Sequence, residues 1–182
     1  MKDLRPSSQP EAQLCEAGED DVEILFELFA ATRNDLIAAI PNLDAAQKEN
    51  FLRVQFQAQR DQYLAQFTSA QWDLIVSQGR IIGQILVAPI GDEIRLVDVS
   101  LLPEFRNRGI GGALLEDLLD RAASENRCVS LHVLPDNPAI HLYRRLGFVH
   151  AGVQGVHQRM EWRPAAADAV SADPAGLRQK VN

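Results

Sequence analysis

The sequence predicts an α/β protein of the α+β type, with a mixed, mostly antiparallel sheet of about six to seven strands flanked by about four helices. Three observations carry this. Short β-branched apolar runs recur between glycine turns. Longer segments repeat their apolar residues at helical spacing. The two kinds follow one another as strand, helix, helix, three strands, helix, strand, helix, two strands, an order that puts helices on both faces of one sheet.

Ala12 to Ala17 is the first predicted strand. Glu19, Asp20 and Asp21 then open a helix carrying Ile24, Leu25, Leu28 and Phe29 inward and running to about Arg33; acids favour the positive end of a helix. Pro41-Asn42 interrupts the chain. Asp44 with Gln47 three residues on has capping-box spacing, and the helix to Phe67 aligns Leu52, Phe56, Tyr63 and Phe67. Trp72 to Gln78 and Ile81 to Ala88 form a hairpin turning at Gly79-Arg80. Gly91-Asp92 makes the next turn and Glu93 to Leu102 the next strand, stopped by Pro103. Gly109 to Asn126 is a helix with ridges Leu114, Leu118, Ala122 and Leu115, Leu119. Arg127 to Leu134 is a buried strand, and Asn137 to Leu146 a short helix ended by Gly147. Phe148 to Val153 and Val156 to Trp162 close the sheet.

The chain has 182 residues, enough for one domain with a real core, placed over residues 11–162. Met1 to about Pro10 reads as a flexible lead-in without the apolar stretch of a signal peptide, which implies a cytoplasmic protein. Residues 163–182, rich in Ala, Asp and Pro, read as a disordered tail. No apolar run is long enough to span a bilayer. A net charge of −7 argues against nonspecific nucleic-acid binding, which needs clustered cations. The two cysteines, Cys15 and Cys128, match no zinc spacing and read as small buried apolar residues; no metal site is expected.

Chemistry concentrates in Leu101-Leu-Pro-Glu-Phe-Arg-Asn-Arg-Gly-Ile-Gly-Gly-Ala-Leu-Leu115. A strand stops at proline, a basic loop comes next, and glycines open a helix. The first turn of a helix offers unpaired N–H groups and a partial positive charge, which suits a diphosphate. Gly109, Gly111 and Gly112 let phosphate oxygens approach closely, and Arg106 and Arg108 add charge-assisted hydrogen bonds. A Walker loop is excluded, since no Gly-Lys-Ser/Thr occurs, and a dinucleotide fingerprint lacks its third glycine.

Arg106-Asn107-Arg108-Gly109-Ile110-Gly111 resembles the Arg/Gln-x-x-Gly-x-Gly/Ala loop of the GCN5-related N-acetyltransferases (GNAT). Asn137-Pro-Ala-Ile-His-Leu-Tyr143-Arg-Arg-Leu-Gly147-Phe148, about thirty residues further on, is similar to that family's Asn…Leu-Tyr-x-x-x-Gly-Phe signature. The resemblance is sharp over Val97 to Phe148 and looser from Ala12 to Trp162. It implies the GNAT acyl-CoA N-acyltransferase fold and acetyl-CoA as co-substrate, lying where the strand ending at Leu102 splays from the strand ending at Leu134. The pantetheine arm would pair with the backbone of Val99, Ser100 and Leu101, and the pyrophosphate would sit on Arg106 to Gly112. Asn137 would contact the pantetheine or hold the following helix. Gly112 stands where the family often has Thr, Ser or Lys, and Asn137 to Tyr143 spans six positions, one fewer than in many members.

The implied reaction is direct attack of a primary amine on the thioester. Tyr143 is the candidate partner of the departing thiolate. For a general base, His132 stands where some relatives carry a glutamate, in the setting Leu131-His132-Val133, and has a natural pKa for the role. Asp98 is the second candidate; a structural role is the alternative for both. Glu93, His150 and His157 stay unranked, and a water chain without a dedicated base stays open. Thr32 to Pro41, the Leu52 to Phe67 helix and Gln154 to Gln158 would shape the acceptor side, where Arg33, Gln55, Gln59 and Tyr63 are candidates against a plainly solvated face. A small-molecule amine is preferred as acceptor over a protein amino group, because no long acidic or aromatic groove is evident. A non-catalytic CoA-binding module is the contrasting alternative. By the same resemblance a homodimer is expected.

Overall fold

The computed structural model describes residues 4–6, 12–33, 37 and 40–165. Among the described residues eight strands form one sheet: β1 (Leu4–Pro6), β2 (Gln13–Glu16), β3 (Gln71–Ser77), β4 (Arg80–Ile90), β5 (Glu93–Leu101), β6 (Cys128–Val133), β7 (Val149–Gln154) and β8 (His157–Trp162). Their spatial order is β1-β2-β3-β4-β5-β6-β8-β7, antiparallel except for the parallel pair β5–β6. The helices are α1 (Val22–Ala31), α2 (Ala45–Gln66), α3 (Ile110–Ser124) and α4 (Ala139–Arg145).

Two apolar clusters sit on opposite faces. Leu114, Leu115, Leu118, Leu119 and Ala122 of α3, with Ile140 and Tyr143 of α4, pack on Ile85, Ile94, Leu96, Val129 and Leu131. These are the ridges expected for α3. On the other face Leu25, Phe26, Leu28 and Phe29 of α1 and Leu52 and Phe56 of α2 enclose Leu74, with Trp72 alongside. Phe26 joins the inner face of α1 beyond the residues predicted, and its ring meets Phe56 edge-on at 5.8 Å.

Local chemistry explains the element boundaries. Asp44 accepts from the Gln47 N–H at 2.8 Å while the Gln47 side chain accepts from the Asp44 N–H at 2.9 Å, the reciprocal cap predicted for α2. The β3–β4 turn lies at Gln78-Gly79 rather than Gly79-Arg80. Both residues have positive φ, 48° and 76°, the twist a two-residue hairpin turn requires, and Arg80 becomes the first residue of β4.

Two expectations need correction. Leu4–Pro6 pairs antiparallel with β2, so this part of the expected lead-in is a strand; residues 1–3 and 7–11 lie outside the described residues. Cys15 is buried but Cys128 is half-exposed at the start of β6, and both are free thiols. The expected tail beyond Ala165 also lies outside the described residues. Among the described residues no helix is long and apolar enough to cross a membrane, and no cluster of His, Cys, Asp and Glu could hold a metal ion.

Candidate active site

The site begins where two strands part. β5 and β6 pair only from Glu93–Cys128 to Leu96–Leu131, after which β5 runs on to Leu101 with that edge free of any described strand. On its other edge β5 stays paired to β4, but Leu86 faces Asp98 while Val87 faces Leu96. Val97 is therefore an extra residue, a bulge that re-aims the remainder of the strand. Val99 joins the α3 side of the sheet, and Asp98 turns to the α1–α2 side.

The free edge leads directly into the basic loop and α3. Gly109 caps α3 with φ 85°, a left-handed conformation that glycine adopts without penalty. The first backbone hydrogen bond along α3 is Ala113 N–H to Gly109 carbonyl, 3.0 Å, so among the described residues the N–H groups of Ile110, Gly111 and Gly112 are left open and no side chain caps the helix. Asn107 is also left-handed, φ 59°. Arg106 donates through Nε to the Leu101 carbonyl at 2.9 Å, which ties the loop to the strand end. Arg108 and Arg80 lie over the Phe105 ring at 5.2 and 5.1 Å. Arg80, the first residue of β4, escapes a reading of the sequence, because only the fold brings that strand end to this loop.

At the head of the gap Tyr143 is buried in α4 with its ring edge-on to Phe148, 5.8 Å between centroids. Burial, and then the charge of Asp98, push its phenol up to about 12. Asn137 Oδ1 accepts from the Ala139 N–H, the first residue of α4, at 2.9 Å.

Asp98 heads a chain of donors. Trp72 Nε1 donates to Gln84 Oε1 at 3.1 Å, and Gln84 Nε2 donates to Asp98 Oδ2 at 2.9 Å. Gln84 is buried at 4 % exposure, so its amide is fixed at both ends. Burial pushes the Asp98 carboxyl above the usual carboxylate range, although Arg33 and hydrogen bonds from Gln84 and the Val99 N–H pull the other way. Ser100, next on the same strand face, has a buried hydroxyl with no hydrogen-bond partner among the described residues.

The family model of the GNAT acetyltransferases matches this sequence over residues 30–148. The chain belongs to the GNAT acetyltransferase family. Solved structures agree on the fold. A PaiA N-acetyltransferase from Thermoplasma acidophilum in complex with coenzyme A superimposes with a TM-score of 0.64 at 18 % identity, covering 84 % of this chain and 98 % of its own. A RimL ribosomal-protein alpha-N-acetyltransferase in complex with coenzyme A gives 0.62 at 19 %, covering 89 % and 98 %. A ribosomal-protein alanine N-acetyltransferase from Escherichia coli gives 0.59 at 19 %, covering 87 % and 98 %. No curated protein matches the sequence significantly.

In this GNAT chain His132 sits apart from the Asp98 chain. Its Nδ1 lies 2.9 Å from Arg95 Nη1, a permanent donor, so the Nδ1 lone pair is occupied and the proton belongs on Nε2. Nε2 is buried and has no hydrogen-bond partner among the described residues. Burial, then the charges of Arg95 and Arg159, push the His132 pKa down. Arg95 also donates to Ser130 Oγ at 2.6 Å and to Glu93 at 2.7 Å, and Arg159 reaches Glu93 at 2.7 Å. Burial alone would raise Glu93, but these donors hold it below its ordinary value. Glu93 is thus the anion of a strand network, and neither it nor His132 joins Asp98 and Tyr143. His150 and His157 lie exposed on β7 and β8. Of the expected acceptor side, Arg33 and Tyr63 stand within the electrostatic field of Asp98, while residues 34–36 and 38–39 lie outside the described residues. Gln55 and Gln59 are not in that group.

Proposed function

We propose that the protein moves the acetyl group of acetyl-CoA to a primary amine by direct attack within a ternary complex, with a small molecule as acceptor. One observation carries this: the unpaired edge of β5 runs straight into three open N–H groups at the start of α3. An extended pantetheine arm would add to that edge along Val99, Ser100 and Leu101 as a strand does. The pyrophosphate would then meet the N–H groups of Ile110, Gly111 and Gly112, flanked by Arg106, Asn107 and Arg108. A Cβ at Gly111 or Gly112 would meet only Leu101 and Leu142 side-chain atoms, none nearer than 3.7 Å, so space above the turn is open.

Asp98 is the base in this reading. A carboxyl raised by burial is more basic than an ordinary one, which is what a proton acceptor at neutral pH requires. His132 fits less well, because its acceptor nitrogen is engaged by Arg95. The acceptor arrives as an ammonium ion and gives one proton to Asp98. The neutral amine attacks the thioester carbonyl carbon. Collapse of the adduct breaks the C–S bond; the second amine proton ends on sulfur, and Asp98 returns its proton to water. The Tyr143 hydroxyl donates a hydrogen bond to the sulfur as charge develops. With its pKa near 12 it keeps its own proton.

The test is release of free CoA thiol from acetyl-CoA across a panel of amines, amino acids and peptides. A small primary amine should be acetylated, and Asp98→Asn should lower kcat/KM by about a hundredfold, the usual worth of a general base. Acetyl-CoA binding with no CoA release for any amine would contradict the proposal and favour a binding module.

A further inference from the structure

We propose that Arg95 is a positioning residue for acetyl transfer, a clasp across the parallel seam of the sheet that holds the free edge of β5 and Tyr143 at the separation a thioester must bridge. This rests on the reading of that edge as the pantetheine site. Arg95 acts through the two strands it joins.

The seam divides the sheet. β4 and β5 pair from Ile90–Glu93 all the way to Gly83–Leu101, and β6 stays paired to β8 as far as Val133–Gln158. Between those two units β5 and β6 pair only from Glu93–Cys128 to Leu96–Leu131. Parallel pairing is the slightly weaker kind. The parts of the candidate site lie on opposite sides of this short seam. Asp98 and the Val99 to Leu101 edge belong to β5, and the glycine turn follows from it. Tyr143 follows from β6 and is tied to the start of β7: the Phe148 N–H donates to the Tyr143 carbonyl at 3.0 Å, and the two rings meet edge-on. The opening of the seam therefore sets the distance between the two halves of the site.

Side chains pin the seam at both ends. Where β5 begins, Arg127 Nη2 donates to the Gly91 and Glu93 carbonyls at 3.1 and 2.7 Å. At the other end Arg95 stands one residue before the last pair, and its guanidinium spans the strands. Nε donates to Ser130 Oγ at 2.6 Å, Nη1 to His132 Nδ1 at 2.9 Å and Nη2 to Glu93 Oε1 at 2.7 Å. His132 already lies one residue past the last pair, so the clasp reaches the mouth of the gap. Glu93 Oε2 accepts from Arg159 Nη2 at 2.7 Å, which extends the clasp to β8. The Arg95 side chain is only 15 % exposed. A planar guanidinium engaged through all three nitrogens is held in one orientation, which a flexible ammonium does not reproduce. On the other face Leu96 and Leu131 pack in the apolar cluster beneath α3. That packing is non-directional, so it holds the halves together without fixing how far they open.

The experiment uses the full chain, Arg95→Met and the milder Ser130→Ala, which removes one acceptor of the clasp. Calorimetry measures acetyl-CoA binding, and competition against acetyl-CoA measures binding of ADP, which carries a diphosphate but no pantetheine arm. In Arg95→Met acetyl-CoA should bind about tenfold more weakly while ADP changes by less than about twofold, because the glycine turn stays with β5. With the best amine of the panel kcat should fall by about tenfold to a hundredfold, the cost of a misplaced reacting group, and the amine KM should stay within about twofold. Ser130→Ala should move the same quantities in the same direction by less, and Arg95→Lys should recover only part of kcat. If Arg95→Met does not fold, Ser130→Ala decides by the same comparison. A lowered unfolding temperature with unchanged kcat and acetyl-CoA affinity would overturn the proposal and leave Arg95 a structural ion pair. Equal losses of ADP and acetyl-CoA binding in a folded variant would also overturn it. In both cases the acetyltransferase reading stands. No acetyl-CoA binding by the parent chain, or no competition by ADP, would overturn the coenzyme reading and the proposal together.

Discussion

Gln84→Leu separates a carboxylate that works from one that merely fills space. Gln84 donates to Asp98 at 2.9 Å and accepts from Trp72 at 3.1 Å, and it is buried. Leucine has nearly the same volume, so the packing around Leu74 and Leu86 survives. Two things are lost. The carboxylate loses a hydrogen bond to its charged form, worth about 1.5–3 kcal/mol. The Trp72 indole is left without an acceptor, at a stability cost of about 1–3 kcal/mol. The first loss raises Asp98 further, because only the ionised form gained from the donor. At about 1.4 kcal/mol per pH unit, the acid limb of kcat/KM should move to higher pH by about one to two units. The sign is set by the base having to be ionised: activity rises with pH as Asp98 deprotonates, and the variant reaches that point later. The titration of the acceptor amine lies higher and is common to both enzymes. Trp72→Phe is the companion variant, removing the first donor but leaving Gln84 on Asp98, and its limb should move much less. The assay is initial-rate CoA release at saturating acetyl-CoA across pH, with thermal unfolding in parallel. An acid limb identical in parent and Gln84→Leu, with the protein folded, would refute Asp98 as the titrating base.

Three further outcomes are expected. Gly109→Ala meets no atom within 4 Å, so its effect is purely conformational; holding alanine at φ 85° costs about 1–2 kcal/mol, and acetyl-CoA affinity measured by calorimetry should fall by up to about tenfold as the loop relaxes. His132→Gln should leave the acid limb of the pH–rate profile in place, because Nδ1 is already engaged by Arg95; disappearance of the limb would return the base to His132. Asp44→Ala removes the cap of α2 and should cost about 1 kcal/mol in thermal unfolding without changing acetyl-CoA affinity.

The features legible in the sequence and those hidden from it divide along the range of the interactions. The Leu101 to Leu115 loop is legible because its chemistry is local: proline, cations, then glycines at the mouth of a helix. The Asp44–Gln47 cap is legible for the same reason, its partners being three residues apart. The Trp72–Gln84–Asp98 chain is hidden because its members meet only through cross-strand register, and that register depends on a bulge at Val97 that no residue type announces. His132 resembles a base because its type and strand position suit one. The parallel pairing of β5 with β6 sets Arg95 beside it, and no spacing in the sequence shows that. Leu4–Pro6 escapes detection because so short a segment has no periodicity; only β2 makes it a strand.

The central claim is that the start of α3 grips a diphosphate. A crystal structure with acetyl-CoA tests it most directly. Pyrophosphate oxygens should lie within hydrogen-bond distance, about 2.7–3.2 Å, of the N–H groups of Ile110, Gly111 and Gly112. The pantetheine amides should pair along the free edge of β5. Coenzyme bound elsewhere on the protein, with those three N–H groups facing solvent or a side chain, would contradict the claim.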